Sequence, residues 1–218
     1  MTDLLHTYWT KRIERCRAVL TNNNFEVFVA ADPADAKRVI VDDILPGIHA
    51  RSVSWGDSMT LHATGVLEEL GKDDKLRIIR TFEPGVPREE IIERRRQALL
   101  VDVFFTGCNA LTESGRLVNL DMVGNRVAAI VFGPRHVIIT VGRNKIVADV
   151  DAAMQRIKDY AAPLNAIRHP GWRTPCIQTG RCSDCRSPDR ICNVWSITEK
   201  SYPRGRIKVV IINQDLGL

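Results

Sequence analysis

Residues 50–70 read ARSVSWGDSMTLHATGVLEEL, and this stretch decides the fold. Ala50 to Trp55 reads as a short strand. Gly56-Asp57-Ser58 interrupts it, and a helix follows to about Leu70. The unit recurs on both sides. Upstream, Phe25 to Ala30 is apolar and rich in branched and aromatic residues, a strand. Asp32-Pro33 supplies an N-cap with proline at the first helical position, and the helix should run to about Leu45, before Pro46-Gly47. Downstream, Leu76 to Phe82 is a strand, Pro87 opens a helix through Leu100, and Val101 to Phe105 is an apolar strand. Short apolar strands alternating with helices argue for a parallel α/β core with right-handed crossovers. Residues 3–21 form an amphipathic helix ahead of it. Leu4, Tyr8, Ile13, Cys16, Val19 and Leu20 recur near helical spacing, and Asn22-Asn23-Asn24 ends it.

Beyond Leu117 the texture changes. Leu117 to Leu120, Val127 to Phe132 and His136 to Val141 read as strands joined by tight glycine-containing turns. Such connections are too short for helical crossovers, so this part is expected to be antiparallel or mixed. Asn144 is expected to cap a further helix with Ile146, Val150, Ala153, Ile157 and Tyr160 on one face, stopping before Pro163. Ile207 to Ile212 is a last, nearly continuous apolar strand, expected in the interior of the sheet.

The 218 residues, 44% hydrophobic and 26% charged, suit one domain over 1–218 and exclude a largely disordered chain. Within it, 1–24 is the N-terminal helix and 168–206 a cysteine-rich basic insertion before the last strand. No apolar run approaches a membrane span, and the N-terminus has no basic start followed by an apolar stretch. A cytoplasmic protein is expected. The net charge of +5 is unevenly placed. Residues 168–208 hold nine Lys/Arg against three Asp/Glu, whereas the remainder is nearly neutral. Only Trp172, Trp195 and Tyr202 could stack bases there, and no nucleic-acid motif accompanies them, so nucleic acid is not the expected partner.

Three loops could carry chemistry. At Gly56-Asp57-Ser58-Met59, a glycine after a strand and Ser58 at a helix start expose N–H groups and a hydroxyl to an anion; the plainer reading is a capped turn. At residues 106–115, TGCNALTESG, Asn109, Thr112 and Glu113 fall in a glycine-flanked loop at a strand's C-terminal edge, where α/β proteins bind ligands. A hairpin with a solvated glutamate is the alternative. At residues 119–126, NLDMVGNR, Asn119 and Asp121 share one face of a strand beside Asn125 and Arg126 and could line a cleft; a solvent-facing edge and turn is the plainer reading. His62 and His136 read as structural. There is no phosphate-binding P-loop and no GxGxxG fingerprint.

The most specific motif is PCIQTGRCSDCRSPDRIC, residues 175–192. Cys176, Cys182, Cys185 and Cys192 stand at C-x5-C-x2-C-x6-C, while Cys16 and Cys108 lie alone. Four thiols so close, in a chain without a secretory signal, argue for a metal rather than disulfides. Arg173, Arg181, Arg186 and Arg190 would favour thiolates. Structural zinc sites of four cysteines usually pair them two and two. A single CxxC leans towards a [4Fe–4S] cluster, with zinc as the alternative and redox thiols or no metal beyond that.

The run from Arg88 to Cys192 resembles the LUD-domain family, the lactate-utilisation proteins of the LutC/YkgG type. The segments that carry it are REEIIERRRQALLVDVFFTGCNALTESGRLVNLD, GNRVAAIVFGP, VGRNKIV, YAAPLNAIR and the cysteine block. The resemblance implies the fold of glucosamine-phosphate isomerase, ribose-phosphate isomerase and CoA transferases: an α/β sheet with helices on both faces, a mixed β subregion and a C-terminal cysteine-rich loop. It implies a part in bacterial L-lactate oxidation beside iron–sulfur redox partner proteins, with a small anionic ligand as a further partner. In CoA transferases of this fold the glutamate of a Glu-x-Gly loop is the nucleophile, and Glu113-Ser114-Gly115 is similar to it. That analogy makes Glu113 the candidate catalytic carboxylate of a small-molecule enzyme, in which the cysteines would hold structural zinc.

Overall fold

A computed structural model describes residues 2–169 and 171–218. Its centre is a six-stranded parallel sheet in the order β1 (Glu26–Ala30), β10 (Ile207–Ile212), β7 (His136–Gly142), β4 (Val103–Gly107), β2 (Ser52–Trp55) and β3 (Arg77–Ile79). Both faces are covered, which is why the central strands read as continuous apolar runs. On β10, Val210 and Ile212 join a core with Val39, Ile40, Leu61 and Phe105. Ile207, Val209 and Ile211 point the other way, into a core with Ile13, Cys16 and Leu20 of helix α1 (Thr2–Asn22). Leu4 and Tyr8, read as part of that apolar face, stay largely exposed.

A second sheet, ordered β8 (Ile146–Val147), β5 (Ala110–Thr112), β6 (Leu117–Asp121), β9 (Val194–Thr198), is mixed as the texture suggested. It is built from two excursions of the chain. The connection from β4 to β7 contributes β5 and β6, and that from β7 to β10 contributes β8 and β9. Both excursions leave the carboxyl ends of neighbouring parallel strands, so they meet over that edge of the main sheet.

Four expectations are corrected. Val127–Phe132 is not a strand. Asn125–Val131 is helix α6, with Val127, Ala129 and Ile130 buried and Phe132 exposed. The alanines favour helix, and Gly124, at φ +95°, starts it. With α6 as its crossover, β7 enters the main sheet in parallel, not an antiparallel meander. Asn144 does not cap a helix. Its side chain accepts a hydrogen bond from Leu216 N (3.0 Å), and helix α7 (Val150–Arg156) is capped by Asp149, which accepts from Ala152 N (2.8 Å). That path does not stop at Pro163 either: a π-turn, Ile157–Ala161, leads into helix α8 (Ala162–Ile167) with the proline in its first turn. The other helices reach their expected ends but are irregular. Helix α2 (Pro33–Arg38) gives way to a π-turn, Val39–Ile44. Gly65, at φ +69°, divides residues 59–70 into α3 (Met59–Thr64) and α4 (Val66–Leu70). Helix α5 (Arg88–Gln97) precedes β4.

Candidate functional site

A cleft of about 150 Å³ opens where the excursions meet the carboxyl ends of β2, β4 and β7. Six of the eight residues singled out as ligand-binding line it: Gly56, Ser58, Asn109, Asp121, Asn125 and Arg126. Gly56, Ser58 and Asn109 follow the parallel strands β2 and β4, at the edge where open α/β sheets bind ligands, while Asp121 ends β6 and Asn125 and Arg126 open α6. Ser58 caps α3, accepting from Leu61 N (3.2 Å). Gly107 opposite has no room for a side chain, because a Cβ there would collide with the Ser58 hydroxyl.

The floor is held by Arg126, which is 8% exposed. All five of its N–H groups are spent inside the protein. Nε donates to Asp121 Oδ1 (3.3 Å), Nη1 to Gly107 O (3.2 Å) and Asn119 Oδ1 (2.8 Å), and Nη2 to Asn109 Oδ1 (2.7 Å) and Leu120 O (2.9 Å). Asn119 also accepts from Asn109 N (3.2 Å), and Asn109 from Leu120 N (3.0 Å). These residues tie the end of β4 to β6. Arg126 therefore shapes the cleft, but it has no donor left for a ligand. Asn119 stands behind the wall, in the same network.

Thr112 and Glu113 lie elsewhere. Thr112 is a buried hairpin residue whose hydroxyl meets Ser114 Oγ (2.9 Å) and accepts from Arg116 N (2.9 Å). Glu113 is drawn under α1, paired with Arg12 (2.8 Å) and Arg15 (3.3 Å). It does not line the cleft. In that position its carboxylate ties α1 to the end of β5.

The cleft also holds residues that were not singled out as ligand-binding. Asp57 and Arg168 pair across its mouth, and Arg168 also donates to Asn165 Oδ1 (2.8 Å). Trp172 lines it, stacked on His169 with ring centroids 4.3 Å apart. Lys145, just before β8, is only 5% exposed. Its Nζ donates to Thr60 Oγ1 (2.9 Å), and among the described residues it has no carboxylate partner. Burial pushes the ammonium down to about 8; the Cys108 thiol opposes that shift, while Arg156 and Arg126 add to it. Nothing in the VGRNKIV segment flags this lysine, since its burial depends on Thr60 and Gly217, both far away in sequence.

The four clustered cysteines converge on a second cavity. Cys176, Cys182, Cys185 and Cys192 line it with Lys158, Thr174, Asp184, Arg190 and Ile191. The basic residues that face it are Arg190 and, from the π-turn after α7, Lys158. Arg181 and Arg186 are exposed, and Arg173 pairs with Asp189 (3.2 Å). Arg190 donates to Cys185 O (2.6 Å), Cys192 O (3.0 Å) and Asp184 (2.7 Å), and so pins the loop that carries three of the cysteines. Asp184, at φ +49°, donates its N–H to Cys182 Sγ (3.4 Å). Burial pushes the Cys192 thiol up, Lys158 pulls it down, Cys182 pushes it up, Arg190 pulls it down and Cys176 pushes it up, so these thiols interact with one another. Among the described residues, no three His, Cys, Asp or Glu side chains are drawn into the arrangement that one metal ion takes. Ile191 lines both cavities.

The described helices include none long and apolar enough to cross a membrane. A family model described as LUD domain matches residues 13–212. A crystal structure of a DUF162 family protein from Deinococcus radiodurans is similar over 94% of this chain and 98% of its own, with a TM-score of 0.54 and 13% identity, a likeness of fold alone. No curated protein matches the chain.

Proposed function

The chain belongs to the LUD-domain family, which is linked in general to lactate utilisation, and on that premise we propose that it assists iron–sulfur-linked oxidation of L-lactate or a related 2-hydroxy acid. The observation that carries the reading is the convergence of Cys176, Cys182, Cys185 and Cys192 on one cavity beside Lys158 and Arg190. Four soft donors with two cations suit a thiolate-ligated centre, because the cations offset the negative charge that the thiolates bring. A [4Fe–4S] cluster held by these four residues would supply one-electron transfer. The chain's own part is to gather the thiols, to limit water around them with Ile191 and Thr174, and to offer a basic surface to a redox partner. The exposed Arg181 and Arg186 fit that docking role better than they fit a bond to the centre. The reading favours protein partners that themselves carry iron–sulfur centres.

Serine substitutions test it. In protein purified without oxygen, serine at any of the four positions is expected to remove bound iron and visible absorbance. Cys16→Ser and Cys108→Ser, at buried positions outside the cavity, should leave both intact. Iron that survives loss of Cys182 and Cys185 together would overturn the assignment. One stoichiometric zinc in its place would favour the structural-metal alternative.

A further inference from the structure

Three cations line the cleft, and only two have counter-charges. Arg126 is paired with Asp121 and Arg168 with Asp57. Lys145 is buried as deeply as Arg126 but, among the described residues, has a single neutral partner, Thr60, which accepts one of its three N–H groups. The side chains lining the cleft thus carry three positive and two negative charges, one positive in excess. A buried ammonium without a carboxylate is costly to the fold, and such a cost persists where a ligand supplies the missing charge. The chain is shaped around this group: Gly217 passes so close that an added Cβ would stand 3.1 Å from the lysine Nζ.

We propose that the cleft binds a small monocarboxylate whose carboxylate pairs with Lys145. Charge and size both select this class. One excess positive charge balances a monoanion, whereas a phosphate dianion would also face Asp57 and Asp121. A volume of about 150 Å³ holds a molecule the size of benzene, about six non-hydrogen atoms, which is the size of pyruvate or lactate. The monocarboxylate class rests on the cleft alone, while the choice of a 2-oxo or 2-hydroxy acid rests on the lactate reading above. Bound there, the ligand lies in a cleft that shares Ile191 with the cysteine cavity, as a redox-linked substrate should.

Calorimetric titration with pyruvate, L-lactate and inorganic phosphate tests the site. Wild-type protein is expected to bind pyruvate or L-lactate at least tenfold more tightly than phosphate. Lys145→Met should weaken that binding at least tenfold without lowering the melting temperature, because methionine fills the same space without a buried charge. Affinity should also fall about tenfold per pH unit above about 8, where the ammonium is lost. The other groups facing it are the Cys108 thiol, Arg126 and Arg156, the Thr60 hydroxyl and the Gly217 backbone. This pH series keeps the test open should the methionine variant fail to fold. Absence of binding by both carboxylates, phosphate bound as tightly as they are, unchanged affinity in a folded Lys145→Met, or affinity flat between pH 7 and 9.5 would each overturn the proposal. The titrations are run on wild type and on Cys182→Ser/Cys185→Ser. In wild type, carboxylate binding without iron sinks the cluster reading alone, and iron without carboxylate binding sinks the site alone; the double variant, with its iron lost, should still bind the carboxylate.

Discussion

The cleft and the cysteine cavity share a wall, yet they are built in opposite ways. The cleft is closed by the protein's own bonds: Arg126 joins Asp121, Asn119, Asn109 and two backbone carbonyls, all on elements of the two sheets. The cysteine loop, residues 172–193, has one short helix (α9, Cys176–Thr179) and buries only Thr174 and Ile191. It hangs on Arg190, Arg173 and Lys158, whose ion pairs with Asp184 and Asp189 are largely exposed and contribute little each. A region tied together by a buried arginine with every N–H group paired holds its shape alone, even with Asn119 Nδ2 buried and unpartnered beside it. On the proposed reading, a region of converging thiols and few buried contacts would gain its shape from a metal centre held by the thiols.

The largest effect is expected in the loop. Removing bound metal with a chelator should open residues 172–193 to protease and amide exchange, with β4, β7 and β10 unchanged; equal protection of the loop with and without metal would erase the contrast. Next comes the network. Arg126→Met takes the paired cation from Asp121, which keeps only the backbone N–H groups of Gly124 and residue 126, and removes the guanidinium from the carbonyls of Gly107 and Leu120; it should cost about 3 kcal/mol in denaturant unfolding. A loss below ~1 kcal/mol would show that the cleft is not held by this residue. Third is the pH dependence of stability. Lys145 has a folded value of about 8, below its unfolded value near ~10.4, so the unfolded state binds the extra proton between the two and stability rises with pH over that window. Against Lys145→Met, wild type should therefore be the less stable near neutral pH, and the gap should narrow from about pH 8 upward; a gap constant in pH would contradict a buried, uncompensated ammonium. The smallest effect belongs to Glu113→Gln. It weakens a partly exposed pair with Arg12 and should cost about 1 kcal/mol while leaving carboxylate binding unchanged. Lost binding in a stable Glu113→Gln would restore the glutamate to the chemistry.

The same contrast explains what could be read from the residues. Strands β4, β7 and β10 are legible because a parallel strand covered on both faces is mostly apolar. The loops after them are legible because polar residues and glycines cluster where strands end. Six of eight chosen ligand residues met in one cleft on that logic. Residues 127–132 failed because a short apolar run has no period of its own, and only the alanines hinted at α6. Thr112 and Glu113 failed because the polar loop turned out to be a hairpin folded under α1. Strand β9 was lost inside the cysteine block, and Lys145 was lost because a lysine's burial is decided by partners far along the chain. The four cysteines carried their message in spacing alone, and the fold brought them to one cavity.

The most direct measurement is the content of iron, acid-labile sulfide and zinc, with an absorption spectrum, in wild-type protein purified without oxygen. The account predicts about four irons and about four sulfides per chain with broad absorbance near ~400 nm that bleaches on reduction. Protein with neither iron nor that absorbance, or with a single zinc, would contradict it.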